Sequence, residues 1–147
     1  GIAMPQISRS ALVPFSAEQM YTLVNDVSAY PAFLPGCVGS RILSQASDEM
    51  TAAVDVSKAG ISKTFVTKNT LQQNQKIQMN LVDGPFRKLS GGWHFTALSE
   101  DACKVELHLD FEFTSVLVEA AFGRIFKELA GNMVNAFTSR AKEVYGG

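Results

Sequence analysis

The sequence predicts a single α+β domain in which a curved antiparallel sheet grips one long C-terminal helix. Two patterns carry that prediction: a run of segments with period-two alternation between Met50 and Phe113, and a proline-free apolar stretch from Ser115 to Tyr145. The first reads as strands with one buried and one solvated face, the second as a helix of about eight turns.

At 147 residues the chain fits one domain, for which the span 4–147 is expected. Gly1-Ile2-Ala3 before Met4 reads as a scar of expression. Hydrophobic residues make up 46% and charged residues 18%, a globular composition on the apolar side. No apolar run approaches the ~18 residues of a membrane span, and no basic-then-apolar leader opens the chain. Cys37 and Cys103 have neither disulfide-framework nor zinc spacing and read as reduced thiols, so the expected compartment is cytoplasmic.

The segment Pro5–Val13 has strand character and stops at Pro14. Ser16 then begins a helix-start signature: it can cap the first free amides, Gln19 can reach back to it, and Phe15 can staple onto Met20. That helix is expected to fray near Asn25-Asp26, with a short second turn or helix over Ser28–Leu34 closed off by Pro31 and Pro35. Beyond Gly36 the period becomes two. Met50, Ala52, Val54 and Val56 share one face; so do Ile77, Met79 and Leu81; so do Leu89, Gly91, Trp93, Phe95 and Ala97. Cys103, Val105, Leu107, Leu109, Phe111 and Phe113 alternate with Lys104, Glu106, His108, Asp110 and Glu112. Turns fall at Ser47-Asp48, Ala59-Gly60, Gln72-Asn74, Asp83-Gly84-Pro85 and Ser99–Ala102.

Ser115 is a fair cap for the last helix, with Glu119 near its start and Arg140 and Lys142 near its end, as the helix dipole favours. Its first half carries Leu117, Val118, Ala120, Ala121, Phe122, Ile125, Phe126, Leu129 and Ala130. That is broader than a ~100° stripe and predicts cover on more than one side.

Catalytic signatures are missing: there is no phosphate loop, no HExxH, no Gly-x-Ser-x-Gly and no metal-spaced Cys/His set. The two histidines, His94 and His108, fall on the polar faces of neighbouring strands. Keeping Trp93 on the Leu107/Leu109 side sets His94 opposite Glu106 or His108. No pair of carboxylates has a spacing that implies acid/base chemistry. The reading is therefore a binding protein rather than an enzyme, with no catalytic or metal-ligating residue.

Two binding features stand out. Inward-facing aromatic, aliphatic and thioether side chains, Tyr30, Phe33, Leu34, Phe65, Met79, Trp93, Phe95, Phe111, Phe122, Phe126 and Met133, are the candidates for an apolar cavity between sheet and helix. The second feature is charge. Net charge is −1, yet Val56–Val82 holds no acidic residue and contains Lys58, Lys63, Lys68 and Lys76. With Arg87 and Lys88, the first three are the candidates for a phosphate-contacting patch, brought together in part by a hairpin at Ala59-Gly60.

Two stretches carry a family resemblance. One runs from Val13-Pro14-Phe15-Ser16-Ala17-Glu18-Gln19-Met20-Tyr21 through Val24–Cys37, and the other is Leu81-Val82-Asp83-Gly84-Pro85-Phe86-Arg87-Lys88-Leu89-Ser90-Gly91-Gly92-Trp93-His94-Phe95. With Phe111-Glu112-Phe113 and Phe122–Leu129, they resemble the START-like family of coenzyme Q-binding and polyketide cyclase/dehydrase proteins, over Met4 to Tyr145. The resemblance implies a helix-grip fold with a hydrophobic cavity. It implies one of two roles: holding ubiquinone or another lipid, with peripheral membrane contact, or binding the large ribosomal subunit and blocking its association with the small one. Aromatase/cyclase enzymes form a third branch. The quinone-binding branch typically has Trp between the residues matching Pro35 and Cys37, where this chain has Gly36, and that departure favours the ribosomal branch. No cofactor is required by either binding role, ubiquinone being a ligand.

Overall fold

The computed structural model describes residues 6–146; the expected scar at Gly1–Ala3 lies outside them. Seven antiparallel strands form one sheet in the order β1-β7-β6-β5-β4-β3-β2. They are β1 (Gln6–Val13), β2 (Cys37–Gln45), β3 (Glu49–Lys58), β4 (Ile61–Gln72), β5 (Lys76–Asp83), β6 (Phe86–Ser99) and β7 (Ala102–Phe113). Helix α1 (Ala17–Asn25) and a 3-10 helix (Val27–Ala32) connect β1 to β2, and α2 (Val116–Tyr145) follows β7. From β2 to β7 the strands run in sequence, so every expected turn becomes a hairpin link.

The capping box forms as expected: Gln19 N donates to Ser16 Oγ at 3.0 Å and Ser16 N donates to Gln19 Oε1 at 2.9 Å. Phe15 and Met20 are both buried. Of the two forms expected after α1, turn or helix, the chain takes the tighter one. It is a 3-10 turn that contains Pro31, and Phe33 N and Leu34 N both donate to Tyr30 O where it ends.

β2 has no legible alternation, for a physical reason. Its pairing with β3 shifts register at Val38 and again at Leu43, and both side chains turn out to solvent. Similar shifts fall at Val82 opposite β4 and at Leu98 opposite β7, and these residues are exposed too. Such bulged residues leave the ladder and bend the strand, so the exposed hydrophobics mark where the sheet curves rather than one sticky patch.

Curvature also centres on Gly91 and Gly92. Gly91 has φ +135°, and a Cβ there would run into the backbone of His108 and Leu109; one on Gly92 would run into that of Ile77 and Gln78. Only residues without side chains allow β5, β6 and β7 to close together at this crease.

α2 lies across the concave face. Ser115 Oγ accepts from Val118 N at 3.1 Å as expected. The expectation of cover on more than one side is corrected: Phe122, Phe126, Leu129, Ala130, Val134, Phe137 and Ala141 form a single buried stripe. Val116 and Leu117 are each 82% exposed. At about 100° per residue, positions 116, 117, 120 and 121 point away from Phe122 and Phe126, so their apolar character does not bring them into the core.

Candidate functional site

The core on the concave face divides into two aromatic groups. Phe126 of α2 sits amid Phe65, Phe86, Phe111, Phe113 and Phe122, with ring centroids 4.7 Å from Phe86 and 4.9 Å from Phe111. Three turns on, Phe137 meets Trp93 at 5.4 Å, Tyr30 at 5.3 Å and Phe33 at 5.1 Å. Between Phe126 and Phe137 the helix presents Leu129, Ala130 and Met133, and β3 presents Ala52. Small residues set between two bulky groups leave a gap, an apolar cavity of about 60 Å³.

Tyr30, Leu34, Phe65, Met79, Trp93, Phe126 and Met133 line that cavity, as do Val27, Ala52, Val54, Leu89, Leu109, Leu129 and Ala130. Four expected residues do not reach it. Phe111 and Phe122 are spent in the first aromatic group. Phe95 stacks behind Trp93 at 6.3 Å and meets Tyr21. Phe33 lies toward the surface with Arg140 over its ring at 5.1 Å.

Two polar lining residues carry no sequence signal. Thr67 and Asn69 are 7% and 6% exposed, and Thr67 Oγ1 donates to Asn69 Oδ1 at 2.9 Å. They sit on the inward parity of β4 with Phe65, where alternation would place apolar groups. The third polar lining group, the Tyr30 hydroxyl, donates to Val24 O, and burial pushes its pKa well above the usual phenol value. Among the described residues no carboxylate, histidine or lysine lines the cavity. Burial also raises both thiols, pushing Cys103 up to about 11.

The lysines do not form the expected single patch. β4 pairs with β3 without a register shift, so Lys63 and Lys68, an odd number apart, point to opposite faces. Lys58 and Lys63 share the concave side at the hairpin, while Lys68 lies on the convex side, paired with Glu49 at 2.7 Å. Lys58 binds Glu128 of α2 at 2.7 Å, and Arg124 approaches the same carboxylate at 3.6 Å, holding it below the usual carboxylate range. Arg87 pairs with Glu112 at 3.3 Å; Lys63 and Lys88 make no ion pair among the described residues. Lys58 and Arg124 therefore meet at Glu128, with Lys63 on the same sheet face as Lys58, and Arg124 lies too far off in sequence to be read with the hairpin.

On the convex face His94 pairs in register with Glu106, one of the two expected partners, and the imidazoles of His94 and His108 lie 6.4 Å apart. Ser8 Oγ lies 2.8 Å from His108 Nδ1. Among the described residues no three His, Cys, Asp or Glu side chains converge as a metal site. Among them, too, no helix is long and apolar enough to cross a membrane.

Known proteins resemble this chain in sequence and in fold. The chain is 74% identical over 144 residues to the ribosome association toxin RatA of Escherichia coli K12, covering 98% of this chain and 91% of that protein. It is 31% identical over 145 residues to the mitochondrial coenzyme Q-binding protein COQ10 homolog B of Xenopus laevis, covering 96% of this chain and 59% of that one. The Zhui aromatase/cyclase from Streptomyces sp. R1128 superposes with a TM-score of 0.85 at 17% identity, over 99% of both chains, and shares the helix-grip fold. A family model for polyketide cyclase/dehydrase and lipid transport proteins matches residues 13–138, and the chain belongs to that family.

Proposed function

We propose that this protein acts by associating with the ribosome in the cytoplasm, binding the large subunit and blocking its union with the small one, without catalysing a reaction. The observation that carries this reading is the 74% identity, across 98% of the chain, to a relative named as a ribosome association toxin. Gly36, where the quinone-binding branch has Trp, supports it. In this fold Gly36 has φ +90° and approaches Leu129 of the cavity wall, a conformation ill suited to a bulky side chain. A cavity wall without a carboxylate, histidine or lysine, whose one phenol is tied to Val24 O, supports binding over catalysis. Sucrose-gradient sedimentation of the protein with purified subunits tests the proposal. The protein is expected to travel with the large subunit and to deplete joined ribosomes. Protein left at the top of the gradient, with joining unaffected, would overturn it.

The apolar cavity favours a second reading, in which the chain holds ubiquinone or another lipid at a membrane surface. The coenzyme Q-binding relative supports it. Native mass spectrometry of freshly purified protein is expected to show an apolar adduct. A bare chain mass that stays bare after incubation with ubiquinone counts against it.

A further inference from the structure

Apart from the Tyr30 hydroxyl, which is tied to Val24 O, Thr67 and Asn69 are the polar side chains that face a cavity otherwise walled by hydrocarbon, aromatic and thioether groups. Asn69 sits between Met50 of β3 and Met79 of β5, and Thr67 beside Ala52. The Thr67 hydroxyl gives its proton to Asn69 Oδ1, which fixes the orientation of the carboxamide. Asn69 Nδ2 then carries two N–H donors with no partner among the described residues. Nor is it sealed away: among those residues Asn25 Oδ1 is the partnerless side-chain atom that is. An amide that no protein acceptor meets forgoes a hydrogen bond within the fold, and an aliphatic pair of the same shape would fill the place at little loss. Donors kept in such a place fit an acceptor that arrives with a ligand.

We propose that Asn69 Nδ2, oriented by Thr67, is the polar anchor of the cavity and selects apolar ligands bearing a carbonyl oxygen, such as ketones, quinones or esters, over plain hydrocarbons. This inference rests on the ligand-cavity reading. The cavity holds a few waters' worth of space, so the anchor receives the head of a ligand while Met79 and Met133, both flexible thioethers, adjust around it.

The test uses 2-nonanone and nonane, matched in length and differing in one carbonyl, with the ¹⁵N-labelled protein. 2-Nonanone is expected to move the Asn69 side-chain amide protons downfield, while nonane shifts only neighbouring methyl signals. Asn69→Leu is expected to reduce the preference for the ketone roughly 3–10-fold, the worth of one hydrogen bond. Thr67→Val, which frees the carboxamide to turn, reduces it in the same direction and stands in if Asn69→Leu folds poorly. The double variant Thr67→Val/Asn69→Leu is expected to melt no lower than the wild type. A lower melting temperature would assign the pair to the fold and overturn the anchor. Equal preference in wild type and variants would overturn the anchor while leaving the ligand cavity standing. Failure of both probes to bind the wild type would remove the cavity reading, and the anchor with it.

Discussion

Glycines separate by what stands in front of them. Gly60 has φ +81° at the β3–β4 turn with nothing within 4 Å of where a methyl group would sit, whereas Gly91 combines φ +135° with the opposing backbone of β7. Gly60→Ala is expected to cost about 1–2 kcal/mol, the strain of a left-handed residue alone. Gly91→Ala adds displacement of a neighbouring strand and is expected to cost roughly 3–5 kcal/mol. Chemical denaturation of the two variants checks the order, and equal losses would show that the crease tolerates a side chain. The residue scale is also where the sequence is least legible. Thr67 and Asn69 sit in a strand whose inward positions read Ile61, Lys63, Phe65, Thr67, Asn69 and Leu71, so no apolar face stands out. The inward aromatics and thioethers point to a cavity, but not to its extent, which arises from missing volume at Ala52 and Ala130, and alanine signals nothing about what lies opposite.

Elements are legible where burial follows one period without interruption. β7 alternates from Cys103 to Phe113 and is buried in that same alternation. β2 is hidden because two register shifts put Val38 and Leu43 on the solvent side and break the pattern. The cap and length of α2 locate it correctly, yet its apolar residues overstate the covered face when they are counted without their angular position. Angular position instead predicts a sharp contrast within the helix. Phe122, fully buried against Phe113, is expected to cost roughly 3–5 kcal/mol on replacement by Ala. Leu117→Glu is expected to stay within about ±0.5 kcal/mol, since the residue is 82% exposed and a negative charge suits a helix start. Thermal unfolding of both variants decides it. A large loss for Leu117→Glu would mean that the first turn of α2 is covered in solution.

The whole molecule separates charges that the sequence sets side by side. Lysines five residues apart look like one patch on a linear stretch, yet a strand turns alternate residues to opposite faces, so curvature and parity send Lys63 and Lys68 to different sides. Their partners differ too: Lys68 is neutralised by Glu49, while Lys63 makes no ion pair among the described residues and shares its sheet face with Lys58. If the ribosome meets this protein through RNA phosphates, the two lysines must behave differently. Each phosphate neutralised by a cation releases condensed counterions, so removing one such contact lowers the salt dependence of binding by about one unit of log–log slope. Lys63→Glu is expected to weaken co-sedimentation with the large subunit at moderate salt and to flatten its salt dependence. Lys68→Glu, on the convex face, is expected to leave both unchanged, with stability moved by less than about 1 kcal/mol through loss of an exposed pair. Gradients run across a salt series for wild type and both variants measure this directly. The reverse pattern, with Lys68 sensitive and Lys63 silent, would put the convex sheet surface rather than the hairpin and α2 against the ribosome.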